Sequence, residues 1–336
     1  MLHPTFSYPR YAYYPEIITG GTETMGSNLT SIGLPTKTNQ GKLQNRKLAA
    51  YGFILPAVIF ILAFVLYPII YNISISFHEV NVFTLNGEKA FTGLANYMAI
   101  LKMPVFKTAL FNTFYFTVMC IIFQFGIGFG LALFFSKRFP GNSYTRGLLL
   151  VCWILPTIVT GIIWKWILAG DMSGILNYIL SLMGMIDKPV LWLTTTKVAM
   201  WSVIMTNIWV GIPFNMLLLT TGLITLPGDV YEAAAIDGAS RMQKFILITL
   251  PLMKPIIMTV ITLGFINTFK QFDLIYIMTQ GGPVDATELL STMSYRLTFS
   301  NFDFGQGAAT ANALFAILMI IGCIYLKFTS KGEGMS

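Results

Sequence analysis

With 336 residues, 55% of them hydrophobic and only 10% charged, and a mean hydropathy of +0.70, the chain is too apolar for a soluble protein of this length. Several apolar runs reach the ~20 residues a helix needs to cross a bilayer, so the expected class is an all-α, polytopic membrane protein in which the lipid bilayer is itself a partner. The net charge of +7 invites a nucleic-acid reading, which the placement of the charges, below, excludes. Cys120, Cys152 and Cys323 lie inside apolar runs with no CxxC pair or histidine cluster. That pattern gives neither a disulfide framework nor a metal site.

Residues 1–48 open rich in Tyr, Pro and Gly and continue rich in Thr, Ser and Asn. They contain no apolar core of a secretory signal and are expected to form a disordered cytoplasmic tail. Met25 offers a second start for translation. Six transmembrane helices are then expected, at 49–71, about 110–135, 148–169, 198–220, 256–279 and 308–327, before a short tail over 328–336. Pro56, Pro68, Pro156 and Pro213 are expected to kink these spans rather than break them, because neighbouring helices can satisfy the freed carbonyls.

Lysine and arginine counts orient the bundle. With both termini cytoplasmic, thirteen of these residues fall on the inner side and six on the outer. The bias follows the positive-inside rule and accounts for the basic charge without a nucleic acid. The outer loops become 72–109, 170–197 and 280–306, and the segment between spans four and five faces the cytoplasm.

That segment reads EAAAIDGASRMQKFILITLPLMKP, Glu232 to Pro255. Pro227-Gly228 marks a turn, and Asp229 with Glu232 has capping-box spacing. Three alanines favour helix, and Gly238 is a natural stop. A helix is expected over 229–237 and a second from about Ser240, ending before Pro251. Nine residues are too few for a helix to stand alone in water, where ~12–15 is already marginal, so a partner must pack on it.

The spacing of Glu232, Ala233, Ala234, Gly238, Ile248, Leu250 and Pro251 resembles the EAA loop of binding-protein-dependent ABC importers. Asp237, Ala239, Phe245 and Pro255 match the longer form found in carbohydrate permeases. "LYPIIYNISISF", "GLANY", "NTFYFT" and "FDLIYIMTQGGP" resemble the same family, so the likeness runs from about residue 48 to 330. The resemblance implies a type I ABC importer transmembrane domain in a bacterial inner membrane, not an enzyme. It implies a sister permease subunit in a heterodimer, two ATP-binding subunits and an extracellular solute-binding protein. The chain has no GxxxxGK[ST] loop, so ATP-Mg would bind on the partner ATPase. By the same resemblance Glu232, Ala233, Ala234, Asp237, Gly238 and Ala239 form the coupling element. The short tail implies the first rather than the second of two permeases.

For the substrate path, Gly264, Asn267, Thr268 and Gln271 fall at i, i+3, i+4 and i+7 and so on one face of span five. Such a stripe serves either as glue between helices or as the lining of a hydrated path suited to sugar hydroxyls. In span four, Asn207, Val210, Gly211 and Phe214 lie in the stretch that lines the path in related sugar importers. Lys165, Lys270 and Asp273 are the ionisable residues within spans. Lys165 can snorkel outward between Trp164 and Trp166, and Lys270 and Asp273 either pair or gate. An ion-coupled secondary transporter needs embedded carboxylates, and Asp273 is the single one. An intramembrane enzyme lacks a nucleophile–base pair or metal cluster.

Overall fold

The computed structural model describes residues 52–84, 87, 89–137 and 139–333. The expected tail over 1–48 lies outside the described residues. The chain divides into two units, 1–62 and 63–336. Of the first, residues 52–62 are described, all helical and exposed.

Twelve helices are named here. They are α1 Gly52–Ser76 and α3 Pro104–Phe135, α7 Thr196–Ile224, α9 Arg241–Phe269, and α12 Phe304–Glu333. Between them lie α2 Ala95–Lys102, α4 Asn142–Ile154, α5 Thr157–Ile167, α6 Ile175–Leu182, α8 Gly228–Ile236, α10 Asp273–Met278 and α11 Leu290–Tyr295. The described residues form no strand, only isolated bridges of His78 with Phe91 and of Asn81 with Asp303. Five helices are long and apolar enough to span a membrane, and α4 with α5 makes a sixth if the bent pair is one span.

That pair corrects one expectation. Pro156 does not kink a continuous span: α4 and α5 meet at 96°, with Leu155 and Pro156 both extended. A residue before proline is driven out of the helical region, and here the chain turns at that point. A second correction concerns Pro251. The helix does not end before it; α9 runs through Pro251 and Pro255 to Phe269. A π-helical segment, Phe245–Thr249, immediately precedes Pro251, as Leu62–Leu66 precedes Pro68. The wider π turn accommodates a ring that would otherwise strike the carbonyl four residues back. Third, span five is two helices, α9 and α10, separated at 270–272. Fourth, the expected outer loops contain the short helices α2, α6 and α11, and α12 continues past 327 to Glu333.

Helix α3 is the spine. Thirty-two residues extend about 48 Å, longer than a ~30 Å hydrocarbon core. It contributes to three separate apolar clusters. Phe116 and Cys120 join Ile204, Leu274 and Ile275; Phe106 and Ala109 join Leu290, Met293 and Ala309; Ala132 joins Leu219, Met253 and Val260. Its main partner is α7. Gly128 permits the close approach, because a Cβ there would strike Asn215. Polar side chains in this interior are satisfied locally. Thr113, Thr117, Thr206 and Thr220 each donate to the carbonyl four residues back, at 2.6–3.0 Å. In a medium without water this removes the cost of a bare hydroxyl.

Candidate functional site: coupling hairpin, polar path and the Gly-Gly-Pro turn

The hairpin after α7 is shaped by its own sequence. Pro227, rather than Asp229, caps α8; Asp229 sits in the first turn, where a carboxylate favours the helix dipole. At the other end Gly238 has φ +77°. Its N–H donates to Ala235 O at 3.2 Å and the Ala239 N–H to Ala234 O at 2.9 Å, the paired bonds of a Schellman stop. Two residues later a capping box opens α9. The Gln243 N–H donates to Ser240 Oγ at 3.3 Å and the Ser240 N–H to Gln243 Oε1 at 2.7 Å. The Tyr231 and Thr249 hydroxyls meet at 2.9 Å and tie the two helices together.

Despite this order, no residue of α8 is buried. Glu232, Ala233, Asp237 and Gly238 are exposed, and Ala234 and Ala239 half-buried. Ile236 is 88% exposed and Met242 65%. Two large apolar side chains thus stand in the open beside Glu232, Asp237 and Arg241. Local bonds fix the shape, while tertiary burial on this chain is missing.

The expected path residues are distributed unevenly. Asn207 is buried, and its carbonyl accepts from Gln124 Nε2 at 2.8 Å. Gly211 faces the Gln124 side chain so closely that a Cβ would collide with it. Val210 is half-buried, and Phe214 stacks on Trp153 of α4 with centroids 5.4 Å apart. On α9, Asn267 is exposed and Gly264 opens onto free space, whereas Thr268 is buried. Gln271 lies beyond the helix end, so the four do not share a face. Its carbonyl accepts from Ser291 Oγ at 2.6 Å, which holds the 270–272 break against α11. Lys270 ends α9 and Asp273 begins α10. Among the described residues no ion pair joins them.

Lys165 lies in the last turn of α5. It lines a cleft of about 700 Å3 with Asp171, Thr194, Thr279, Gln280 and Pro283. Asn177 of α6 builds one side of this region. Its Nδ2 donates to the carbonyls of Ala169, Asp171 and Val190, and its Oδ1 accepts from Val190 N and Trp192 Nε1, all at 2.9–3.2 Å.

Residues 279–288 form the opposite wall, and here lies a group that the sequence reasoning missed. The turn is dense in left-handed residues, at Gln280, Gly281, Val284 and Asp285. Asn112 of α3 clasps it, donating to the carbonyls of Asp285, Ala286 and Glu288 at 3.1–3.3 Å. Glu288 is 1% exposed, and neither carboxyl oxygen has a hydrogen-bond partner. The Thr292 hydroxyl is committed to the backbone of Leu289. Arg296 reaches Glu288 Oε2 at 3.5 Å but sits closer to Asp285, at 2.7 Å. Burial pushes the Glu288 carboxyl up to about 7, with Arg296 pulling against it. The available signal was a pair of acids, Asp285 and Glu288, within five residues of Gly-Gly-Pro.

A profile of the family described as binding-protein-dependent transport system inner membrane component matches residues 124–328. This stretch contains the hairpin, α7, α9 and the Gly-Gly-Pro turn. The chain belongs to this family. The permease is 34% identical to the trehalose/maltose transport system permease protein MalF of Thermococcus litoralis over 90% of its length and 98% of the relative's. It is also 34% identical to the arabinooligosaccharides transport system permease protein AraP of Bacillus subtilis, over 86% of this chain and 92% of that one. In fold it is similar to a bacterial ABC transporter that imports the acidic polysaccharide alginate. The TM-score is 0.75 at 20% identity, covering 87% of this chain and 99% of the other. A bacterial alginate ABC transporter in complex with an alginate pentasaccharide-bound periplasmic protein gives 0.73 at 20% identity, covering 84% of this chain and 94% of the other. The permease therefore has the fold of an ABC importer transmembrane domain and is a multi-pass membrane protein.

Proposed function

We propose that this permease forms half of the path by which an ATP-driven importer carries a saccharide across a bacterial cytoplasmic membrane. It acts beside a sister permease, two ATP-binding subunits and an extracellular solute-binding protein. The observation that carries this reading is the hairpin. Glu232, Ala233, Ala234, Asp237, Gly238 and Ala239 belong to an element stiffened by two caps and a hydroxyl pair yet left unburied, with Ile236 in the open. A rigid, unburied knob suits insertion into an ATPase subunit, and ATP-Mg is bound and hydrolysed there.

Saccharide as cargo is supported by the names of the relatives, which carry trehalose or maltose and arabinooligosaccharides. In the path, Asn267 and Gly264 offer an uncharged, accessible surface. Asn207, Val210, Gly211 and Phe214 act mainly by shaping the α7 wall, and Thr268 and Gln271 by fixing the end of α9. Asp273 is the one carboxylate near the break, too few for ion coupling by a carboxylate relay.

The test is co-purification of the permease with its partners, followed by ATPase assays with saccharides bound to the associated solute-binding protein. Stimulation by one saccharide class identifies the cargo. Uptake that persists without ATP and collapses with the proton gradient would overturn the reading in favour of a secondary transporter.

A further inference from the structure

Glu288 plays no part in the coupling hairpin or in the path as described. Among the described residues it is the one carboxylate whose two oxygens are both buried and without a hydrogen bond. Its surroundings are fixed on several sides. The Asn112 amide holds the carbonyls around it, and the Leu290 N–H donates to Thr113 Oγ1 at 3.0 Å. Gly281 closes over the carboxyl so tightly that a Cβ would meet Glu288 Oε2.

The charged groups facing it are Arg296 and Asp285, already joined to each other at 2.7 Å. Helix α3 presents neutral Asn112 and Thr113, its single charge, Lys107, being exposed; α12 carries no charged residue before Lys327. A neutral carboxyl fits such a socket. A carboxylate there has no hydrogen bond, and Arg296 at 3.5 Å offsets only part of its desolvation. The same turn supplies Thr279, Gln280, Gly282 and Pro283 to the wall of the cleft.

We propose that Glu288 is a positioning residue: its neutral carboxyl tolerates burial beneath the turn 279–288 that Asn112 of α3 clasps, and its ionisation loosens that turn, so the cleft it walls responds to protons outside the cell. The inference rests on the importer reading for its orientation, with this turn on the external face. Burial places the transition close to neutrality, within reach of ordinary changes in the external medium. Transport by the assembled complex then depends on external pH through the shape of its mouth, with no proton carried across.

The test uses the full chain in cells, carrying Cys152→Ser and Cys323→Ser to silence reactive thiols, with Ala286→Cys as a reporter inside the turn. A membrane-impermeant maleimide is applied between about pH 5.5 and about pH 8.5, bracketing the carboxyl's transition. Rates are divided by those of the same chain carrying Glu288→Gln, which cancels the pH dependence of the thiol. The expected ratio rises at least about threefold with a midpoint near neutrality, as an ionising group released from burial requires. Relative to Glu288→Gln, Glu288→Ala labels faster by the same factor at every pH, which separates a proton-dependent role from a merely structural one. A flat ratio with labelling intact would overturn the latch and leave the importer reading standing. Labelling in every variant only after permeabilisation would overturn the membrane orientation and the latch with it.

Discussion

Gln124 Nε2 donates to the carbonyl of Asn207 at 2.8 Å, and the same side chain fills the space above Gly211 one turn further along α7. One amide therefore both ties α3 to the backbone of α7 and sets how closely the two helices approach. Gly211→Val is expected to overpack this contact by about 1–3 kcal/mol. A thermal shift in detergent measures the loss. Shortening the neighbour with Gln124→Ser in the same chain should recover part of it; a double variant no better than the single would show that Gly211 matters for another reason.

Gly238 has nothing within 4 Å of where a Cβ would stand, yet its φ is +77°. Substitution strains the turn by about 1–2 kcal/mol without any clash. Gly238→Val should therefore insert into the membrane and fold, with only a modest fall in its thermal midpoint, while losing association with the ATPase. Pull-down of the ATP-binding subunits at normal permease abundance measures this. Full retention of ATPase coupling would contradict the coupling role of the hairpin.

Asn177 makes five hydrogen bonds across three segments of the cleft wall. Asn177→Ala leaves buried carbonyls and an indole N–H unpartnered, at ~1–3 kcal/mol for each orphan that water cannot reach. The expected result is a large fall in folded yield, visible by fluorescence-detected size exclusion. Asn177→Asp should be nearly as damaging, because it removes the donors and keeps the acceptor.

Glu288 also links stability to pH. Its folded-state value is raised from 4.5 to about 7. The stabilising contribution is thus complete below the unfolded value and lost as pH rises through neutrality. Relative to Glu288→Gln, the native unfolding midpoint should fall between about pH 5 and about pH 8, by an equivalent of roughly 3 kcal/mol at most. Parallel midpoints for the two proteins across that range would show that the carboxyl stays ionised in its socket.

Much of this was legible from residue order. Apolar runs located the spans, because a helix in lipid must be apolar along its whole length. Alanines followed by Asp237-Gly238 located α8 and its left-handed stop, because that chemistry is local. What failed was what depends on neighbours. Pro156 and Pro251 have the same ring, but one ends a helix at 96° and the other is absorbed by a π segment; nothing within a few residues distinguishes them. The stripe from Gly264 to Gln271 assumed a continuous helix, and the break after Phe269 is stabilised from far away in the chain by Ser291. Glu288 was overlooked because its burial is created by Asn112 and Gly281 closing round it.

Helix α3 meets both ends of this machinery. Near one end Asn112 holds the Gly-Gly-Pro turn. Seventeen residues on, about 26 Å along a single helix, Phe129 lies 5.9 Å from Phe245 at the base of the coupling hairpin. A rod with no proline after its first residue does not shorten under load. Any sliding of α3 along its axis displaces both contacts together, so the Gly-Gly-Pro turn and the hairpin register the same movement.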